Sequence, residues 1–117
     1  MILIVEDNPS LCRLWVDLLS HHGHLVRGAN TGSEAVTAAI ESMPDLVVMD
    51  LDLPDMNGFE LIAALRPLGS FPIVALTGAG GLGDLSRLGF AETHIKPMNN
   101  AGMLAIADRL LPPKGQP

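Results

Sequence analysis

Five short runs of apolar, mostly β-branched residues, separated by stretches whose apolar residues recur at helical spacing, leave this chain few folds to choose from. The runs fall at residues 2–5, 25–29, 46–49, 73–76 and 93–95. Strands with a helix between each and the next cannot pair through tight hairpins. They need crossovers, and crossovers build a parallel sheet with helices on its faces. The near-continuous apolarity of Ile2-Leu3-Ile4-Val5 and Leu46-Val47-Val48-Met49 suits strands covered on both sides. The expected class is therefore α/β, with an open, doubly wound parallel sheet.

Local signals set the helix boundaries. Asn8 is a good N-cap and Pro9 fits the first helical position, so a helix is expected from there to Gly23, with Leu11, Leu14, Trp15, Leu18 and Leu19 facing the core. Thr31-Gly32-Ser33-Glu34 has the pattern of a capping box and opens a second helix, which carries Ala35, Val36, Ala39 and Ile40 inward. A third is predicted over 58–66, with Phe59, Ile62 and Leu65 as apolar positions, until Pro67 stops it. A last helix over 100–111 packs Met103, Leu104, Ala107 and Leu110, and Pro112-Pro113 ends it. The stretch Gly78-Ala79-Gly80-Gly81-Leu82-Gly83 is too rich in glycine to start a firm helix, since each costs about 1 kcal/mol relative to alanine. A shortened or mobile fourth helix, near 84–88, is the most that fits. One domain over 1–112 with a flexible tail at 113–117 is the expected organisation.

At 117 residues, 48% hydrophobic and 17% charged, the chain has the make-up of one packed domain. Its net charge of -6 repels phosphate backbones and anionic lipid, which argues against nucleic-acid and membrane partners. Cys12 is the single cysteine, so no internal disulfide forms and a reducing compartment fits. The start lacks a basic leader, and no apolar run approaches a bilayer span, so a cytoplasmic protein is expected.

In an open parallel sheet, ligands sit beyond the carboxyl ends of the strands. The polar residues that follow the five runs are Glu6 and Asp7 after the first, Asp50 after the third, Thr77 after the fourth, and Lys96 with Pro97 after the fifth. Strand alternation brings them all to one edge. Three carboxylates converging there repel one another unless a cation balances them. A hard ion such as Mg2+ accepts carboxylates, a backbone carbonyl and water, and it is the usual companion of phosphoryl transfer. A threonine hydroxyl and a lysine charge suit phosphoryl oxygens, and an aspartyl phosphate is a known type of covalent intermediate.

The blocks Ile4-Val5-Glu6-Asp7-Asn8, Met49-Asp50-Leu51-Asp52-Leu53-Pro54-Asp55-Met56-Asn57-Gly58, Leu76-Thr77-Gly78 and Ile95-Lys96-Pro97 resemble the signatures of bacterial response-regulator receiver domains, of the single-domain, chemotaxis-regulator-like kind. The likeness runs over residues 2–111. It implies a flavodoxin-like (βα)5 sheet in the order 2-1-3-4-5 and a role in a two-component phosphorelay. Asp50 would then accept the phosphoryl group; Glu6, Asp7 and Asp50, with the main-chain carbonyl of Asp52, would hold Mg2+. Thr77 and Lys96 would meet the phosphoryl oxygens, and the Lys96-Pro97 bond would be cis. The donor would be a histidine kinase or histidine phosphotransfer protein, and the output a downstream protein effector, with the protein a monomer or weak dimer. It would be no conventional enzyme, although it would catalyse its own phosphorylation and dephosphorylation.

Two departures from that pattern stand out. The interval from Thr77 to Lys96 is a few residues short, and Thr93 stands where relatives carry an aromatic that rotates inward with the switch. Readout then falls to ordering of the 78–83 loop, or the switch is weak. The principal alternative is a receiver-like interaction module not controlled by phosphorylation. Asp50-Leu51-Asp52 also resembles the nucleophile and acid-base pair of haloacid-dehalogenase-type phosphatases, but that family places its pair after an early strand of a longer chain. The stretch 78–83 formally matches a dinucleotide fingerprint, yet it follows the fourth strand and lacks a downstream strand ending in an acid for the ribose. His21, His22 and His24 suit the negative end of the first helix better than a metal, and His94, Cys12 and Trp15 read as packing residues.

Overall fold

The computed structural model describes residues 1–78 and 89–111. In it, strands β1 (Ile2–Val5), β2 (Val26–Ala29), β3 (Leu46–Asp50), β4 (Ile73–Thr77) and β5 (Glu92–Ile95) form one parallel sheet in the order β2-β1-β3-β4-β5. Helices α1 (Pro9–His21), α2 (Gly32–Glu41), α3 (Gly58–Leu65) and α4 (Asn100–Leu110) lie on its two faces. The period of two along each strand sorts the core. Ile2, Ile4, Leu46, Val48, Val74 and Leu76 meet Cys12, Trp15 and Leu19 of α1 and Met103, Ile106 and Ala107 of α4. Leu3, Val5, Val47, Met49, Ile73 and Ala75 meet Ala35, Ala38 and Ala39 of α2 and Leu61, Ile62 and Leu65 of α3 on the other face.

Strands β1, β3 and β4 are buried along their whole length, as their apolarity implies. β2 and β5 are not. Both are edge strands, and they carry Arg27, Glu92 and His94 where an inner strand would have no room for charge. Leu25 stays outside β2 and is 80% exposed.

The helix ends follow the local chemistry. Asn8 Oδ1 accepts from the amides of Ser10 and Leu11. α1 closes with Gly23 at φ 90°, whose amide donates to the Ser20 carbonyl while that of His24 donates to Leu19, a Schellman arrangement that needs the left-handed region glycine adopts freely. At α2 the capping box is displaced by one residue: Thr31 Oγ1 accepts from the Glu34 amide, but the Glu34 carboxylate takes the amide of Asn30 instead of that of Thr31. The reciprocal box forms at α3, between Asn57 and Glu60. Helix α3 stops at Leu65, and Pro67 falls inside a 3-10 turn, Arg66–Leu68.

Several side chains expected in the core face outward: Leu14, Ile40 and Phe59 are exposed, while Leu61 and Ile106 occupy the core. The short helix expected near 84–88 and the tail at 113–117 lie outside the described residues. Among the described residues no helix is long and apolar enough to cross a membrane.

The loop from β3 to α3 comes back tightly on its own start. The Gly58 amide donates to the Leu51 carbonyl at 2.9 Å, and a Cβ on Gly58 would stand 2.2 Å from Leu51 Cδ2 and 3.1 Å from Leu51 Cα. Gly58→Ala must push backbone from backbone, so a loss of about 1–3 kcal/mol is expected, measured as a lower urea midpoint at unchanged m-value. An unchanged midpoint would show that the loop yields freely.

Candidate functional site

The strand order reverses between β1 and β3, and the two neighbours therefore deliver their next residues side by side at the carboxyl edge of the sheet. Glu6 follows β1, Asp50 ends β3, Thr77 ends β4 and Lys96 follows β5. Glu6, Asp50 and Thr77 are buried; Asp7 and Asp52 are exposed, and Lys96 is intermediate. The Lys96 amide donates to the Thr77 carbonyl at 2.7 Å, which joins the ends of β4 and β5. The Lys96-Pro97 peptide is cis, as the resemblance implies.

Lys96 Nζ reaches Asp50 Oδ2 at 2.5 Å and lies 3.7 Å from Glu6 Oε1. The amide of Asp52 donates to Asp50 Oδ1 at 3.0 Å, so both oxygens of Asp50 are held. On the far side of Glu6, Asn30 Nδ2 donates to its main-chain carbonyl at 2.9 Å. One carboxylate oxygen from each of Glu6, Asp7 and Asp50 lies within 4.8 Å of the others, a grouping compact enough to hold one metal ion.

The charge count in this pocket does not close. Among the described residues three carboxylates face a single lysine, and Glu6 Oε2 is buried with no hydrogen-bond partner. Burying an unpartnered carboxylate oxygen costs several kcal/mol in order of magnitude, and a hard cation with oxygen ligands removes that cost. The donor set, all oxygen and all anionic, is the one magnesium accepts. Burial pushes the Glu6 carboxyl up from 4.5 to about 7; neighbouring Asp50 and Asp7 add to the rise, against the pull of Lys96. For Lys96 burial opposes the charge, but Asp50, Glu6 and Asp7 prevail and hold its pKa above the ordinary lysine value.

The structure brings Glu6, Asp7, Asp50, Thr77 and Lys96 together at one edge of the sheet. Asp52 joins them through its backbone amide. Asn30, just past β2, joins the site without a sequence signal of its own, because its partner is the main-chain carbonyl of Glu6. A groove of about 840 Å3 opens at the opposite end of the sheet, lined by Ile2, His22, Leu25, Asp45 and Leu104 among others. It contains none of these groups, so concavity alone does not mark the chemistry here. The histidines behave as expected at the helix end, with His22 Nδ1 3.0 Å from the Leu18 carbonyl oxygen. His94 pairs instead with Glu92 at 2.8 Å, and Glu92 also takes Arg109 of α4.

The raised Glu6 pKa has a consequence for stability. Below about pH 4.5 the group is neutral whether the chain is folded or not, and its full contribution is present. As pH rises toward about 7 the unfolded chain ionises first, so stability is lost across that window. Thermal melts in chelator between about pH 5 and pH 8 should show this decline in the native protein and a flatter profile in Glu6→Gln. Parallel profiles would contradict the assignment.

The comparisons with known proteins agree with this geometry. Residues 2–107 match the family model described as the response regulator receiver domain. The polar-differentiation response regulator DivK of Brucella ovis is 35% identical over 104 residues, covering 84% of this chain and 85% of its own. KdpE of Mycobacterium tuberculosis, a transcriptional regulatory protein, is 36% identical over 77 residues, and the chain spans 34% of its length. Among solved structures, the chemotaxis response regulator CheY4 of Vibrio cholerae superposes with a TM-score of 0.85 at 28% identity, covering 94% of this chain and 97% of its own. The response regulator TrrA of Thermotoga maritima, solved in complex with Mg(2+)-BeF, gives 0.82 at 28% identity, with 94% and 97% covered. Sheet order, edge residues and sequence likeness point the same way, and this chain belongs to the response regulator receiver domain family of two-component signalling.

Proposed function

We propose that this receiver accepts a phosphoryl group on Asp50 from a phosphohistidine donor, with Mg2+ held by Glu6, Asp7 and Asp50 and by the main-chain carbonyl of Asp52. The observation that carries this reading is the unbalanced pocket: a buried Glu6 oxygen that has no partner among the described residues, beside an aspartate whose own oxygens are both engaged. The Mg(2+)-BeF complex of TrrA supports it by likeness.

A carboxylate oxygen of Asp50 attacks phosphorus in line; the new O–P bond forms as the P–N bond to the donor breaks, and the electron pair returns to the donor imidazole. The bound magnesium supplies charge that offsets the phosphoryl oxygens. Lys96 now bridges Asp50, and it remains within reach of an oxygen added there. The Thr77 hydroxyl, at the buried end of β4, supplies a polar contact on the same side. The Asp52 amide keeps the Asp50 carboxyl oriented. Hydrolysis then requires water to attack the same phosphorus, returning Asp50 and releasing inorganic phosphate. A histidine kinase or phosphotransfer protein fits as donor, and a downstream protein effector as reader.

Acetyl phosphate with Mg2+, followed by intact mass, tests the proposal. Wild type should gain one phosphoryl group, and Asp50→Asn and wild type in chelator should gain none. Equal labelling of Asp50→Asn would move the site elsewhere; no labelling of wild type by acetyl phosphate or by a phosphohistidine donor would favour an interaction module that works without phosphorylation.

A further inference from the structure

We propose that Asp55 is a positioning residue for the acidic pocket, latching the β3–α3 loop onto the first turn of α2 so that the Asp50 and Asp52 side of the pocket is held before any ligand arrives. This inference rests on reading the pocket as a divalent-metal site.

The loop is closed at its base. The Asp52 amide donates to Asp50 Oδ1, Asp52 and Asn57 form an antiparallel bridge, and the Gly58 amide returns to the Leu51 carbonyl. Its tip is tied to a distant part of the chain by Asp55. The Asp55 carboxylate accepts from the Gly32 amide at 2.8 Å, the Ser33 amide at 3.0 Å and the Ser33 hydroxyl at 3.0 Å. Beside it, Met56 fills the space that a side chain on Gly32 would take: a Cβ there would stand 2.4 Å from Met56 Cγ and 2.5 Å from its Sδ. The latch thus has a polar and an apolar half.

Helix α2 does not need Asp55 merely to begin. Thr31 caps the Glu34 amide, and the Ala35 amide already returns to the Thr31 carbonyl. Asp55 takes the remaining two amides of the first turn, where a negative charge is favoured by the helix dipole. Those amides, Gly32 first and then Ser33, hold the carboxyl below the ordinary aspartate range, so the contact persists in its charged form at neutral pH. On the other side of α2's start, Asn30 holds the main chain of Glu6. A chain of contacts therefore runs from Glu6 through Asn30, the first turn of α2 and Asp55 to Asp52 and Asp50, joining the two strand ends that supply the carboxylates. A group that orients ligands without touching the ion is expected to change affinity about 10–100-fold when removed.

Calorimetric Mg2+ titration of four variants beside wild type separates positioning from simple stability. Asp55→Ala should weaken Mg2+ binding about tenfold, and Asp55→Asn, which keeps an oxygen for the Gly32 amide, should recover most of that loss. Leu19→Ala, in the core beneath α1 on the other face of the sheet, should lower the melting temperature while leaving Mg2+ affinity as in wild type. Asp50→Asn reports on the underlying site and should bind weakly. The proposal is overturned if Asp55→Ala binds as wild type does while Asp50→Asn does not, or if Leu19→Ala weakens binding as much as Asp55→Ala. Equal binding by wild type and Asp50→Asn would instead remove the metal site itself, and this inference with it.

Discussion

A buried cluster of carboxylates is the constraint around which this structure is arranged. Among the described residues Glu6 Oε2 has no donor, and Lys96 lies closer to Asp50 than to Glu6. Water cannot solvate that oxygen, because β1 and β3 deliver Glu6 and Asp50 at the buried switch point of the sheet. The fold tolerates the charge only where something positive can be added, and Asp7 stands exposed at the mouth to share it. Marginal stability makes such an arrangement costly: in a domain worth some 5–15 kcal/mol, crowding three carboxylates at one edge takes a sizeable share unless protonation of Glu6 or a cation relieves it.

The rest of the molecule keeps that pocket rigid. The three inner strands are buried on both faces, so their ends move little relative to one another. Edge strand β5 is secured differently, by Glu92 taking Arg109 from α4 and His94 from its own strand. Arg66 performs a similar task at the other end of β4, donating to the carbonyls of Gly69, Phe71 and Gly89 and lying 5.7 Å over the Phe71 ring. The charged ties therefore sit where apolar cover is thin, at the sheet edge and in the loops.

The inner strands could be read directly from the chain because four or five consecutive apolar residues have few other uses, and the site followed because parallel topology sends every strand end to one edge. Helix faces were less legible. At 100° per residue a stripe can be placed one position off: Leu14 and Ile40, which the spacing turns inward, are exposed, and Leu61 and Ile106 fill the core instead. Pattern alone does not say which strand is last in the sheet; that order came from the family resemblance, and the structure has it. Contacts such as Asp55 with Gly32, or Asn30 with Glu6, join residues more than twenty positions apart and leave no local signature at all.

If, as proposed, one cation occupies the edge where Glu6, Asp7 and Asp50 meet, paramagnetic Mn2+, which accepts the same oxygen ligands as magnesium, reports its position directly. Titrated into the labelled protein, it should broaden the amide signals of Glu6, Asp7, Asp50 and Asp52 first, while those of Gly23, Asp45 and Asp108 at the opposite end of the sheet stay sharp. Broadening that is uniform over the molecule, or that begins at the opposite end, would contradict it.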